Sequence, residues 1–115
     1  MGDCTLGTDE GFDQSTSFNA YYNEYGADYF LKNVRSILEA DDLSVVNFEG
    51  TLTEETSRAD KTFAFKGPAK YTDILTGSSV EAANIANNHS KDYGTKKPGR
   101  YHRKSVKCRH CYIWL

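Results

Sequence analysis

Apolar positions recur at helical spacing between Ala27 and Ala40, where Phe30, Val34, Ile37 and Leu38 fall on one face, with Tyr29 beside them, and Lys32, Arg35 and Glu39 fall on the other. The pattern predicts one amphipathic helix. Asp41-Asp42 ends it, and Leu43 to Phe48 reads as a buried strand rich in β-branched residues. Thr62 to Lys66 alternates as a short strand would, before Gly67-Pro68 turns the chain. Ala69 to Thr76 fits a short helix with Tyr71, Ile74 and Leu75 facing inward, and Gly77 stops it. Val80 to Ala86 is the next strand. Thr8 to Gly26, polar but carrying Phe12, Phe18, Tyr21, Tyr22 and Tyr25, reads as a packed surface loop, and Thr51 to Lys61 as an exposed one. A strand, a crossover containing a helix and a second strand imply parallel pairing, hence an α/β fold.

Length and charge change this picture at one end. The 115 residues make at most one domain, and 38% hydrophobic content is low for a compact core. Residues 1–94 hold 7 Lys and Arg against all 16 acids, a net charge of −9, whereas residues 95–115 hold 7 basic residues and no acid. Two segments are therefore expected, 1–94 as the folded part and 95–115 as a basic tail. No apolar run approaches the roughly 20 residues of a membrane span, and no signal-type hydrophobic region follows Met1. Cys4 stands alone. Cys108 and Cys111, with His102 and His110 nearby, lack the second pair that a structural zinc site needs.

The candidate chemistry collects where the second strand ends. Asn87, Asn88 and His89 follow the apolar run abruptly, and Asp92 and Gly94 come within the same loop. In open α/β sheets, ligands bind beyond the carboxyl ends of the strands. An amide oxygen suits a hard cation, an imidazole moves protons near neutral pH, and Asp92 stands where it can orient that ring. The first strand ends in Asn47-Phe48-Glu49-Gly50, which puts a carboxylate at the same edge. The same residues also suit an Asn-rich turn and an ordinary strand-to-loop connection.

Taken together, Gly2-Asp3, Asn47-Phe48-Glu49-Gly50 and Ala86-Asn87-Asn88-His89 with Asp92-Tyr93-Gly94 resemble the CapA family of bacterial capsule-synthesis proteins, associated with poly-γ-glutamate. Cys4-Thr-Leu-Gly7, Asp41-Asp42-Leu43, Lys61 to Gly67 and Ser79-Val-Glu81 support the match, which runs from Gly2 to Gly94. That family is similar to calcineurin-like metallophosphoesterases. The resemblance implies part of a sheet sandwich flanked by helices, with divalent metal ions at the strands' carboxyl edge. It implies Asp3, Glu49 and Asn88 as metal ligands and His89, with Asp92, as the proton-transfer group. It also implies a cell-surface or membrane-associated protein whose partner is an anionic surface polymer or its biosynthetic machinery, with no nucleic acid.

The family's later histidine motifs, of His-Trp-Gly and His-Pro-His type, do not occur in this chain. The chain is therefore expected to be an N-terminal fragment with an incomplete site. The tail is read as frameshifted. With its codons shifted by one nucleotide, residues 96–115 permit an amphipathic helix leading into a strand, ending in a glycine forced by Trp114-Leu115. A non-catalytic module that binds surface polymer is the alternative reading, and a basic-tailed nucleic-acid binder is a third.

Overall fold

The computed structural model describes residues 1–94; the expectations for the tail, its frameshift and its Cys and His residues lie outside the described residues. Three strands form a parallel sheet in the order β1 (Asp3–Cys4), β2 (Val45–Phe48), β5 (Ala82–Asn84). A second, two-stranded parallel sheet joins β3 (Thr51–Leu52) to β4 (Lys66–Gly67). Helices α1 (Phe18–Tyr25), α2 (Arg35–Ala40) and α3 (Thr72–Thr76) lie in the connections. The mixed α/β class and the parallel pairing of β2 with β5 match the sequence pattern.

One face of β2 is buried and the other is not. Val46 and Phe48 enter the core, while Val45 is 40% exposed and Leu43 lies outside the strand at 61%. The period-2 pleat produces this alternation, so the expected buried strand is buried on one side only. Val46 and Phe48 meet Leu6, Leu38, Tyr71, Ile74, Leu75 and Val80 in a single cluster. The inward residues of the helical stretch 69–76 are those its spacing predicts.

Besides the pairing of Thr51–Leu52 as β3 inside the expected exposed loop 51–61, three local expectations differ from the structure. The stretch from Ala27 to Ala40 is not one helix: a 3₁₀ turn at Ala27–Tyr29 and irregular turns precede α2. Leu38 is buried, but Ile37 (62% exposed) and Val34 are not. Phe30 instead stacks on Phe18 of α1 with ring centroids 4.2 Å apart. That docking prevails where Asn33 and β-branched Val34 offer little helix propensity. The supposed loop 8–26 contains α1, whose Phe18, Tyr21, Tyr22 and Tyr25 follow the i, i+3, i+4, i+7 spacing of a helix face. Ser17 caps it, its hydroxyl oxygen accepting the Ala20 N–H at 3.2 Å. Ser17→Ala is expected to lower stability by about 1 kcal/mol in urea unfolding, the usual cost of a lost N-cap.

The third difference positions the site. Thr62 to Phe65 is not a strand, and only Lys66–Gly67 pairs as β4. The backbone N–H groups that a ladder would use go to carboxylates. Ala64 N–H donates to Asp9 Oδ2 at 2.7 Å and Phe65 N–H to Asp92 Oδ2 at 2.8 Å. Segment 61–67 is thus a strap held by two buried acids, both under 5% exposed.

Candidate functional site

Register builds the first half of the site. Asp3 pairs with Asn47, and Asn47 with Asn84, so three polar residues occupy one row across the parallel sheet. Registered neighbours in a parallel ladder carry their side chains on the same face, and these three hydrogen-bond in sequence. The Asn84 amide donates to Asn47 Oδ1 at 2.9 Å. Asn47 Nδ2 then donates to Asp3 Oδ1 at 2.8 Å and to Glu49 Oε1 at 3.1 Å. Two carboxylates thereby converge on one amide group just beyond the end of β2.

The loop after β5 supplies the second half. Asn87 ties it to the end of β2 by donating to the Phe48 carbonyl at 2.6 Å, and Asn87 Oδ1 accepts the His89 N–H at 2.9 Å. His89 Nδ1 lies 2.7 Å from Asp92 Oδ2, and its Nε2 lies 3.8 Å from Glu49 Oε2. The second distance is too long for a hydrogen bond, and it becomes a charge contact only when the ring is protonated. The Phe65 ring packs against the imidazole with centroids 5.1 Å apart. Asp92 is fully buried, and Lys61 Nζ donates to its Oδ1 at 2.7 Å and also to the Asn88 carbonyl.

Burial by itself would raise the Asp92 carboxyl. The opposing hydrogen bonds from Lys61, the Phe65 N–H and His89 outweigh it and hold the group below the usual carboxylate value. Asp9 behaves alike. Its burial is outweighed by the Gly11 and Ala64 N–H groups and by Arg58, which donates to Asp9 Oδ2 at 2.9 Å. A carboxyl depressed in the folded state contributes stability that is fully present above its unfolded value of about 4 and lost as pH falls through the folded value. Urea midpoints are accordingly expected to drop steeply below about pH 4, and less steeply in Asp9→Asn.

Asp92 accepts at its contact with the ring, so the proton there sits on His89 Nδ1, and Nε2 faces Glu49. Of the five residues expected from the sequence, Asp3, Glu49, His89 and Asp92 form one connected string at the carboxyl edge of the sheet. Asn88 joins through its backbone oxygen, and its side chain is exposed. Asn47 and Asn87 of the same motifs, together with Asn84 and Lys61, fasten the string. A polar Asn47 inside a β-branched strand was the available signal for the first of them.

The carboxylate oxygens of Asp3 and Glu49 are the donor type that a hard divalent cation takes, and in this structure the Asn47 amide N–H₂ stands between them and donates to both. The number gathered does not complete a coordination shell. Among the described residues, no three His, Cys, Asp or Glu side chains are grouped so as to hold a metal ion together. Nor, among them, is any helix long and apolar enough to cross a membrane.

Residues 1–97 match the family described as bacterial capsule synthesis protein PGA_cap. The chain is also similar to the capsule biosynthesis protein CapA of Bacillus anthracis, 31% identical over 78 residues that cover 64% of this chain and 19% of that protein. It thus spans about a fifth of the length of that relative. No solved structure matches the chain.

Proposed function

The chain belongs to the PGA_cap family of bacterial capsule synthesis proteins, and from that premise we propose that it carries the N-terminal part of a metal-assisted phosphoester site used in building a cell-surface polymer. The single observation behind this reading is the string Asp3–Asn47–Glu49–His89–Asp92 at the carboxyl edge of a parallel sheet. In this reading Asp3 and Glu49 hold a divalent cation, and Asn88 joins them once its exposed side chain turns inward. A cation so held would polarise a phosphoryl oxygen and acidify a bound water.

The chain's own residues do the rest. Asp92 keeps the His89 ring in one orientation, and Nε2 delivers a proton to a departing oxygen or hydrogen-bonds to it as charge develops. Glu49, on the other side of Nε2, stabilises the ring whenever it is protonated. Asn47 spaces the two carboxylates, with its oxygen anchored by Asn84 and its amide group between them. Phe65 covers one side of the imidazole and limits water there.

Two carboxylates and an amide do not fill a shell, so the remaining ligands belong to parts of the family's domain that have no counterpart among residues 1–94. The metallophosphoesterase-like sandwich, the poly-γ-glutamate association, the anionic polymer or its machinery as partner, and a surface or membrane-associated location come with the same proposal. Phosphoester cleavage sets the test. This chain with Mn²⁺ is expected to hydrolyse p-nitrophenyl phosphate at background rate. In a full-length family member, alanine in place of the histidine equivalent to His89 is expected to lower turnover about 100-fold or more. Metal-dependent turnover by this chain contradicts the incomplete shell. Full turnover without the histidine contradicts its role.

A further inference from the structure

The residue that fixes the geometry of His89 lies outside the motifs that carry the chemistry. Lys61 sits on the strap, 28 positions before the histidine, and its ammonium reaches both ends of the loop that holds it: the Asn88 carbonyl at one end and Asp92 Oδ1, at 2.7 Å, at the other. We propose that Lys61 is the positioning residue of this site, clamping the 88–92 loop so that His89 keeps Nδ1–H on Asp92 and turns Nε2 to Glu49. The inference rests on the reading of His89 as the proton-transfer group, and it concerns how that group is held.

The geometry divides the work of Asp92 cleanly. One oxygen, Oδ2, accepts from His89 Nδ1 and from the Phe65 N–H; the other, Oδ1, takes Lys61. Asp92 is fully buried, so without a cation its charge is unsupported by water. Two outcomes follow if Lys61 is lost. The carboxyl takes up a proton and competes as a donor, or the loop opens to hydrate it. Either one removes the fixed acceptor from Nδ1 and frees the imidazole to exchange tautomers. The second contact matters as much. Holding the Asn88 carbonyl fixes the peptide that leads into His89, so the ring is located from its backbone as well as from its edge. Lys61 also lies close to Arg58, which donates to the Lys61 carbonyl at 2.9 Å and to Asp9. That anchoring keeps the strap in place and leaves the ammonium end to the site.

Lysine suits this task better than arginine. A compact ammonium with three donors can serve two acceptors that diverge, whereas a planar guanidinium is matched to paired oxygens. Lys61→Arg is therefore expected to retain the charge on Asp92 and lose the Asn88 contact, and Lys61→Met to lose both while keeping the apolar stem.

The test reads the ring itself, with neither metal nor substrate present. In the ¹⁵N-labelled chain at about pH 8, above the usual imidazole range, long-range proton–nitrogen correlation is expected to show His89 in the Nδ1–H form with a far-downfield proton. Lys61→Met is expected to shift the ring towards a mixture of tautomers and abolish that proton signal, and Lys61→Arg to preserve it in part. A purely structural role would lower the unfolding midpoint in Lys61→Met and leave the tautomer unchanged, which overturns the proposal. Should Lys61→Met fail to fold, the wild-type chain decides. A slowly exchanging Lys61 ammonium with scalar coupling to the Asp92 carboxyl carbon supports the clamp, and its absence overturns it. Because no cation or phosphoester enters these measurements, a failed metal reading leaves this result standing, and a failed clamp leaves the metal reading open to its own test.

Discussion

Asp92→Ala is expected to lower the unfolding free energy by about 3 kcal/mol, the largest loss anticipated for any single side chain of the loop. Its carboxylate is fully buried and receives Lys61, His89 Nδ1 and the Phe65 N–H at 2.7, 2.7 and 2.8 Å. Alanine leaves the part-buried Phe65 N–H without its acceptor and strands the Lys61 ammonium. Removing one partner of a buried pair costs about 3 to 5 kcal/mol, and the lower end applies because Lys61 is partly exposed and can rehydrate. Asp92→Asn keeps the size and one acceptor oxygen, so about half the loss is expected. Urea unfolding followed by circular dichroism measures both. A loss under about 1 kcal/mol in Asp92→Ala would mean that the strap and loop are held by other contacts.

Gly7→Ala is expected to be at least as damaging, for a backbone reason. Gly7 follows buried Leu6 at φ +144°, a conformation L residues rarely adopt, and it passes directly against β4. A Cβ there would lie 2.3 Å from the Lys66 carbonyl oxygen and 2.5 Å from its carbon. That oxygen also accepts the Thr8 N–H at 3.1 Å, so neither strand can withdraw without breaking the bridge between them. Strain and overpacking together are expected to cost about 3 to 5 kcal/mol, comparable with the whole stability of a small domain. Gly26→Ala is the control. It has φ +76° and ψ −175°, a region essentially reserved for glycine, but open space around the added carbon, so about 1 to 3 kcal/mol from backbone strain alone is expected. Equal losses in the two variants would show that close approach is not what Gly7 serves.

The sequence pattern carried the parallel β2–β5 pair and the inward face of residues 69–76, because both rest on short-range periodicity that the core then satisfies. It did not carry the fate of Thr62 to Phe65. Alternating aromatics read as a strand, but two acids distant in sequence, Asp9 and Asp92, take the N–H groups that a ladder would need. No local rule sees a partner 55 residues away. The break in Ala27 to Ala40 has a similar origin, since Phe30 is claimed by Phe18. Helix α1 was legible in Ser17 and the 18, 21, 22, 25 spacing, and its polar surroundings hid it. At the site, Asp3, Asn47, Glu49, Asn87, His89 and Asp92 lie in motifs legible in the sequence, whereas the parts played by Asn84 and Lys61 emerge only when register and long-range hydrogen bonds bring them together.

Where a divalent cation settles on this chain separates a built site from a merely acidic surface. Substoichiometric Mn²⁺ added to the ¹⁵N-labelled chain broadens the amide signals nearest the bound ion. Asp3, Asn47, Glu49 and His89 are expected to broaden first, and Glu49→Gln to remove the effect while leaving the rest of the spectrum in place. Broadening centred on Asp41-Asp42, or spread evenly over the acidic surface and unchanged by Glu49→Gln, would contradict it.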